Sequence, residues 1–518
     1  MTRWVYRAYL AAALSAVCHA TPVSAAACES LSRLVLPHTA VTLAERVAPG
    51  AFVPPSAQRP GGAQVPAGAA RAYAALPELC RVAATITPTS DSDIKIEVWM
   101  PASGWSGKFQ AVGNGGWAGT IPYAAMAAAA GAGYATAATD TGHTGNNATF
   151  ALGRPEKVID MGYRAVHEMT VQAKAIVDGF YGAPPKLSIW NGCSQGGRQG
   201  VTEAVRYPAD FDAIIAGAPG VNWMHLHAGR LAVNRSVNRT PAAAIPADKY
   251  ALIHNAVIAA CDARDGVRDG VVENPAACRF DPGVLQCGGS QDASACLTSA
   301  QVESARGMYA SVINPRTGGE ILPGLAPGSE LGWAVLGATQ PIGNAVEAYK
   351  YVITQNPAWD PSSFNPSADL DRALAADSLD VLGSTNPDMR AFFKRGGKLL
   401  LYHGWSDPQV TPLNTVNFFN KVVAHHGSAA VGKSVQLYML PGVNHCAGGP
   451  GTDTFDKMGV MERWVQSGIA PDRIVASHLT AGVVDRTRPL CPFGQVAKWN
   501  GSGSTDDAAN FACVVETR

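Results

Sequence analysis

The chain has 518 residues, with 40 basic against 40 acidic side chains and 47% hydrophobic residues. A chain of this length can bury a large core, either as one big domain with an insertion or as two to three domains. The zero net charge and the 15% of charged residues argue against nucleic acid or an anionic membrane surface as a partner.

The N-terminus has the pattern of an export signal. Arg3 and Arg7 precede a short apolar run, and Val23-Ser24-Ala25 resembles a signal-peptidase cleavage site. We interpret residues 1–25 as a signal peptide, which predicts a secreted or periplasmic protein. No later stretch reaches about 18 uninterrupted apolar residues, so we expect no membrane insertion.

From residue 94 the chain alternates between strand and helix patterns. The predicted strands are 94–100, 107–113, 187–190 and 211–216, and the predicted helices are 161–180 and 195–207. The last of these strands is continuously apolar, which is typical of a strand buried on both faces of a parallel sheet.

This alternation stops near residue 221 and resumes near residue 390. It returns with a strand at 398–402, a helix near 413–424 and a strand at 435–440. We therefore predict an α/β fold, with one mostly parallel sheet flanked by helices and formed by residues 26–220 and 391–518. Residues 221–390 would then be an insertion between late strands, placed over the carboxyl ends of the sheet as a lid.

A nucleophile motif lies between a predicted strand and a predicted helix. Gly192-Cys193-Ser194-Gln195-Gly196 matches G-x-S-x-G, in which a tight turn with small flanking residues presents the serine hydroxyl at a helix N-terminus. This position predicts Ser194 as the nucleophile of a hydrolase.

A serine nucleophile needs a base and an acid that orients the base, and in such folds they follow in the order Ser, Asp or Glu, His. Asp407 comes just after the predicted strand 398–402, and His445 just after the strand 435–440. We predict Asp407 as the orienting acid and His445 as the base. His403 precedes the acid in the chain, so a packing or loop role is expected for it.

The oxyanion hole requires two backbone N–H donors. Gln195, directly after the nucleophile, is one candidate, and Gly113, at the start of the Gly113–Gly116 loop, is the other. The alternative for that loop is a glycine-rich turn without a catalytic part.

Ten cysteines remain after the signal peptide, and none of them forms a C-x-x-C pair, which argues against a zinc ribbon. An even number in an exported chain predicts five disulfides. Three local pairs would close short loops: Cys261 with Cys278, Cys287 with Cys296, and Cys491 with Cys513. Cys193 and Cys446 adjoin the predicted nucleophile and base, so they come within bonding distance if the triad assembles. Cys28 and Cys80 are left without an assignment.

The Cys193-Ser194, Asp407 and His445-Cys446 elements together resemble the Cys-Ser…Asp…His-Cys signature of the tannase and feruloyl esterase family. The resemblance runs from about Cys28 to the C-terminus. It implies an α/β-hydrolase core with a large lid, a Cys193–Cys446 disulfide, and hydrolysis of small esters of aromatic acids without a redox cofactor.

A second signal lies between Cys261 and Cys278. The spacing of Asp262, Asp265 and Asp269 is not that of an EF-hand, and from the residues alone it indicates a solvated acidic turn. The segment nevertheless resembles the lid calcium site of the family. That resemblance implies a structural Ca²⁺ held by the three aspartates and by the carbonyls of Val267 and Val271.

Three relatives compete for the substrate: feruloyl esterases, then tannases, then hydrolases of mono(2-hydroxyethyl) terephthalate. Family members that act on the terephthalate monoester hold its free carboxylate with a lid arginine. Residues 317–371 contain no arginine, so Lys350 or Arg372 would have to substitute. A non-catalytic hydrolase-like binding protein is the alternative of another class, and it predicts the loss of a triad member, whereas all three are present.

Overall fold

The computed structural model describes residues 26–55, 66–289 and 292–515, together with Met1. Apart from Met1, the predicted signal peptide of residues 1–25 therefore lies outside the described residues. Within the described ranges, no helix has both the length and the apolar character that crossing a bilayer requires.

The described residues form fifteen strands and fifteen α-helices. The strands are β1 (Thr39–Val47), β2 (Leu79–Ile86), β3 (Ile94–Pro101), β4 (Lys108–Val112), β5 (Ala135–Thr139), β6 (Leu187–Cys193), β7 (Ala213–Gly217), β8 (Val312–Ile313), β9 (Glu320–Leu322), β10 (Lys398–Gly404), β11 (Val435–Leu440), β12 (Ile474–Thr480), β13 (Val483–Leu490), β14 (Gln495–Trp499) and β15 (Phe511–Val515). The helices are α1 (Ala67–Ala74), α2 (Tyr123–Gly131), α3 (Pro155–Ile159), α4 (Ala165–Tyr181), α5 (Gln195–Arg206), α6 (Trp223–Val237), α7 (Lys249–Cys261), α8 (Ser299–Tyr309), α9 (Ala334–Gly337), α10 (Gly343–Glu347), α11 (Pro366–Ala376), α12 (Arg390–Lys394), α13 (Pro412–His426), α14 (Ser428–Ser434) and α15 (Lys457–Ser467).

Nine strands form one central sheet in the order β1-β2-β3-β5-β4-β6-β7-β10-β11. From β5 to β11 all neighbours are parallel, while β1, β2 and β3 add an antiparallel edge. Every residue of β5 and β7 is buried, as expected for strands covered by helices on both faces. The predicted α/β fold with a mostly parallel sheet is confirmed.

The insertion begins and ends at neighbouring strands. Ala213 pairs with Lys398 and Gly217 with Tyr402, so β7 and β10 are direct partners although residues 218–397 separate them. The inserted residues bury an apolar cluster in which α6 contributes side chains beside α10 and α11. Because α6 starts just after the carboxyl end of β7, this helix stands at the edge of the sheet where parallel α/β proteins bind ligands.

Candidate active site

Ser194 lies in the tight turn between β6 and α5. Its φ of 62° and ψ of −120° belong to a region that non-glycine residues rarely adopt, as expected at a nucleophile elbow. A Cβ at Gly192 would lie 2.6 Å from the backbone of Gly196, so this turn needs glycine there. The turn is held by the Ser194 N–H, which donates to the Gly217 carbonyl at 2.9 Å.

The three predicted triad residues meet at the carboxyl edge of the sheet. His445 Nε2 lies 2.8 Å from Ser194 Oγ, and His445 Nδ1 lies 2.6 Å from Asp407 Oδ2. Burial alone would raise the pKa of Asp407, but hydrogen bonds from His403 and His445 outweigh it and hold that pKa well below its usual range. Asp407 is therefore a buried carboxylate beside an imidazole that contacts the serine hydroxyl.

A disulfide joins the loop of Ser194 to the loop of His445. Cys193 and Cys446 are bonded, with their Cα atoms 6.0 Å apart, so the residue before Ser194 is covalently tied to the residue after His445. The three local pairs predicted from the sequence also form, and Cys28 pairs with Cys80. The predicted number of five disulfides is confirmed.

The prediction of Gly113 as an oxyanion donor is wrong. Its N–H already donates to the Asn191 carbonyl at 2.9 Å, as a continuation of the β4–β6 ladder. A Cβ at Gly113 would lie 2.6 Å from the Cα of Gly196, so the glycine is there to let the two backbones approach. Gly115, two residues later, lines the cavity above Ser194, and among the described residues its N–H has no recorded acceptor. Gln195 also lines that cavity, at the start of α5.

The cavity above Ser194 has a volume of about 420 Å³. Three aromatic rings stand together in its wall: the Trp223 and His227 ring centroids are 4.1 Å apart, and those of Trp117 and Trp223 are 5.5 Å apart. Burial and the nearby Arg230 hold the pKa of His227 well below its ordinary value, so its imidazole is neutral. The wall therefore offers flat apolar surfaces to a ring-bearing ligand.

Arg230 is a buried cation in the same wall, and the sequence analysis missed it. Its Nε and Nη2 donate to the Gln409 carbonyl at 2.9 and 2.5 Å, while among the described residues its Nη1 has no recorded acceptor. Burial lowers the pKa of Arg230 to about 10, which leaves it charged at neutral pH. The signal that could have found it is the spacing of Trp223, His227 and Arg230, which share one face of a helix that directly follows β7.

Neither of the two cations considered for a free carboxylate is among the residues that line this cavity. Lys350 belongs to the inserted residues but not to the lining, and Arg372 forms an ion pair with Asp369 at 2.8 Å with 54% of its side chain exposed. A cation inside the cavity is thus provided by α6 and not by residues 317–372.

The acidic turn after α7 gathers Asp262, Asp265 and Asp269. Asp262 accepts hydrogen bonds from the backbone of Asp269 and Gly270, and Asp269 forms an ion pair with Arg488 at 2.5 Å. Burial, together with the charges of Asp269 and Asp262, raises the pKa of Asp265 to about 6. Carboxylate oxygens are the kind of ligand that Ca²⁺ takes in proteins.

Ligand-type atoms converge more tightly at Asp388, His425 and His426, within 4.8 Å of one another. At that position Arg390 already holds the Asp388 carboxylate through two nitrogens, at 2.6 to 3.0 Å, so the carboxylate is neutralised by its own neighbour.

Most of the chain is similar to known esterases. The family model described as "Tannase and feruloyl esterase" matches residues 80–514. A similar relative is an uncharacterized esterase of Xanthomonas campestris, which is 37% identical over 96% of this chain and 93% of its own. A probable feruloyl esterase B-2 of Aspergillus flavus is 34% identical, over 77% of this chain and 80% of its own.

A mono(2-hydroxyethyl) terephthalate hydrolase of Piscinibacter sakaiensis is 33% identical, over 85% of both chains. Among solved structures, feruloyl esterase B of Aspergillus oryzae superposes with a TM-score of 0.86 at 29% identity, covering 94% of this chain and 99% of its own. Relatives named for different esters are almost equally identical to this chain, at 34% and 33%. Sequence identity therefore does not select the ester, and the lining of the cavity has to be considered instead.

Proposed function

Since the chain belongs to the tannase and feruloyl esterase family and is a carboxylic ester hydrolase, we propose that it is an exported serine esterase that cleaves feruloyl-type esters. The observation that carries this proposal is the unbroken series of contacts from Ser194 through His445 to Asp407 beneath a cavity walled by aromatic rings. A hydroxycinnamoyl group has a flat ring of the kind that such a wall would stack against or meet edge-on.

In the first step His445 Nε2 takes the proton of the Ser194 hydroxyl while Oγ attacks the ester carbonyl carbon. The N–H groups of Gln195 and Gly115 donate to the carbonyl oxygen as it becomes negative. His445 then gives its proton to the alcohol oxygen, the C–O bond breaks, and the alcohol leaves an acyl-enzyme on Ser194.

In the second step water attacks the acyl carbon and His445 takes one of its protons. The tetrahedral intermediate collapses, Ser194 Oγ recovers a proton from His445, and the aromatic acid is released. In both steps Asp407 accepts the Nδ1–H of His445 and stabilises the imidazolium that forms.

The test is the release of acid from methyl ferulate, methyl gallate and mono(2-hydroxyethyl) terephthalate by the wild-type enzyme. We expect the highest kcat/KM for methyl ferulate, because the aromatic wall suits a planar cinnamoyl group. A higher kcat/KM for methyl gallate or for the terephthalate monoester would contradict this substrate preference.

The Arg230 side chain favours a second candidate substrate, an aromatic half-ester with a free carboxylate. If a carboxylate binds Arg230 Nη1, Arg230→Met should lower kcat/KM for the terephthalate monoester by about 10- to 100-fold more than for methyl ferulate, the value of a hydrogen bond to a charged group. A general disturbance of the loop around Gln409 would lower kcat/KM for both substrates alike, so it would not change the ratio of the two kcat/KM values. Arg372→Met is the matched control and should leave the ratio unchanged. An unchanged ratio in Arg230→Met as well would remove this second candidate.

Export is supported by the leader-like N-terminus and by five disulfides, which persist in oxidising compartments. N-terminal sequencing of protein recovered from the periplasm or the medium should begin near residue 26. A chain that begins at Met1 would count against export.

We also propose that Asp262, Asp265 and Asp269 hold a structural Ca²⁺ together with the carbonyls of Val267 and Val271. Calorimetric titration of chelator-treated enzyme should show Ca²⁺ binding, and Ca²⁺ at 100 times its Kd should stabilise the fold by about 2.7 kcal/mol. Asp265→Asn should weaken binding, whereas Asp388→Asn, in the other cluster, should not. Equal thermal midpoints with Ca²⁺ and with chelator would contradict the site.

A further inference from the structure

A second histidine contacts the acid of the catalytic site. His403 lies in β10, four residues before Asp407, and is fully buried. Its Nε2 is 3.0 Å from Asp407 Oδ2 and 2.9 Å from the Val410 carbonyl oxygen, and its Nδ1 is 2.8 Å from Thr415 Oγ1. All polar atoms of this ring are therefore engaged, and one of them touches the carboxylate that serves His445.

These contacts determine where the ring carries its proton. The Val410 carbonyl can only accept a hydrogen bond, and the same holds for Asp407 as a carboxylate. His403 Nε2 must therefore carry a hydrogen, which it shares between these two oxygens. The Nδ1 atom lies 2.8 Å from the Thr415 hydroxyl, which can either donate to it or accept from it.

We infer that His403 is a positioning residue that holds the Asp407 carboxylate for His445. Asp407 Oδ1 accepts the N–H groups of Gln409 and Val410 at 2.7 and 3.0 Å, and Oδ2 accepts from His403 and His445. Without His403, Oδ2 would keep only the hydrogen bond to His445, the residue that exchanges a proton with the substrate during the reaction. The inference rests on the proposed roles of Ser194, Asp407 and His445.

The position of His403 has a consequence for pH dependence. Among the described residues, the charged or titratable groups that face Asp407 are His403 of β10, His445 after β11 and Arg230 of α6. Arg230 keeps its charge through the neutral range, so it does not titrate there. Removing the His403 donor leaves more negative charge on the Asp407 carboxylate, which then favours the imidazolium form of the base more strongly. The acid limb of the kcat/KM profile would then move upward.

The experiment compares His403→Leu, which fills the space without a donor, with His403→Gln, whose amide N–H can reach Asp407. In His403→Leu we expect kcat/KM for methyl ferulate to fall by about 100-fold, as for a catalytic group displaced by an ångström. Its acid limb should move upward by about 0.5 to 1 pH unit. His403→Gln should recover most of the activity and return the acid limb to the wild-type position.

A purely structural role would lower activity in both variants and leave the acid limb in place, and that result would overturn the inference.

The wild-type enzyme offers a second test that does not depend on how the variants fold. In ¹⁵N-histidine-labelled protein, with His403 assigned by its loss in His403→Gln, the ring should be protonated at Nε2. Protonation at Nδ1 alone would leave no donor for Asp407 and would also overturn it. If Ser194→Ala remained active, the triad itself would fail, which is distinguishable from both outcomes.

Discussion

Replacing Ser194 by alanine should lower kcat for methyl ferulate by about 10⁶-fold, the scale of nucleophile removal in serine hydrolases. The change removes only Oγ, the atom 2.8 Å from His445 Nε2. His445, Asp407, the cavity and the disulfide all remain, so ester binding should persist while no acyl-enzyme can form. The measurement is steady-state hydrolysis together with mass spectrometry of the acylated protein.

Ser467→Ala is the matched control, because Ser467 is an exposed serine at the end of α15. It should hydrolyse the ester at the wild-type rate. A Ser194→Ala enzyme that retained more than a small fraction of the wild-type rate would show that another group attacks the ester.

Removing the Cys193–Cys446 disulfide by a double alanine substitution should destabilise the protein by about 5.5 kcal/mol in a loop-entropy model. This bond spans 253 residues, and the entropy that a cross-link removes from the unfolded chain grows with the length of the closed loop. The same substitution frees the His445 loop from the elbow, so kcat should fall by about 100-fold through loss of the Ser194–His445 alignment. Chemical unfolding and steady-state kinetics measure the two effects.

The Cys287–Cys296 disulfide is the control, since it spans only 9 residues within the lid. Its removal should cost about 2.7 kcal/mol in the same loop-entropy model and leave kcat unchanged. Equal losses of kcat in the two double variants would show that the Cys193–Cys446 bond has no special effect on the catalytic loops.

The three residues that meet at the candidate site could be predicted because their chemistry and their order both depend on local sequence. The elbow needs small residues between a strand and a helix. Asp407 and His445 each follow a strand that an apolar run in the sequence predicts. The strand β5 was missed, because Ala135-Thr136-Ala137-Ala138-Thr139 lacks the large β-branched side chains that mark strands. Its place in the sheet comes from pairing with β3 and β4.

The errors in the site have a tertiary origin. Gly113 and Gly115 belong to the same glycine-rich loop, and only the pairing of β4 with β6 shows that the amide of Gly113 is already engaged. Arg230 was missed because the search for a cation was confined to residues 317–372. The cation that lines the cavity lies in α6, the helix that directly follows β7. His403 was expected to have a packing or loop role, and its contact with Asp407 depends on the course of the chain after β10.

The adjacency of β7 and β10 places much of the cavity wall in one inserted segment of the chain. The proposed nucleophile, acid and base lie outside residues 218–397, as does the wall ring of Trp117, whereas Trp223, His227 and Arg230 lie within them. Because that segment leaves and re-enters the sheet at paired strands, its sequence can change or be exchanged while Ser194, Asp407 and His445 keep their positions. The Arg230 contact with Gln409 is one of the points where an exchanged segment must still match the loop that carries Asp407.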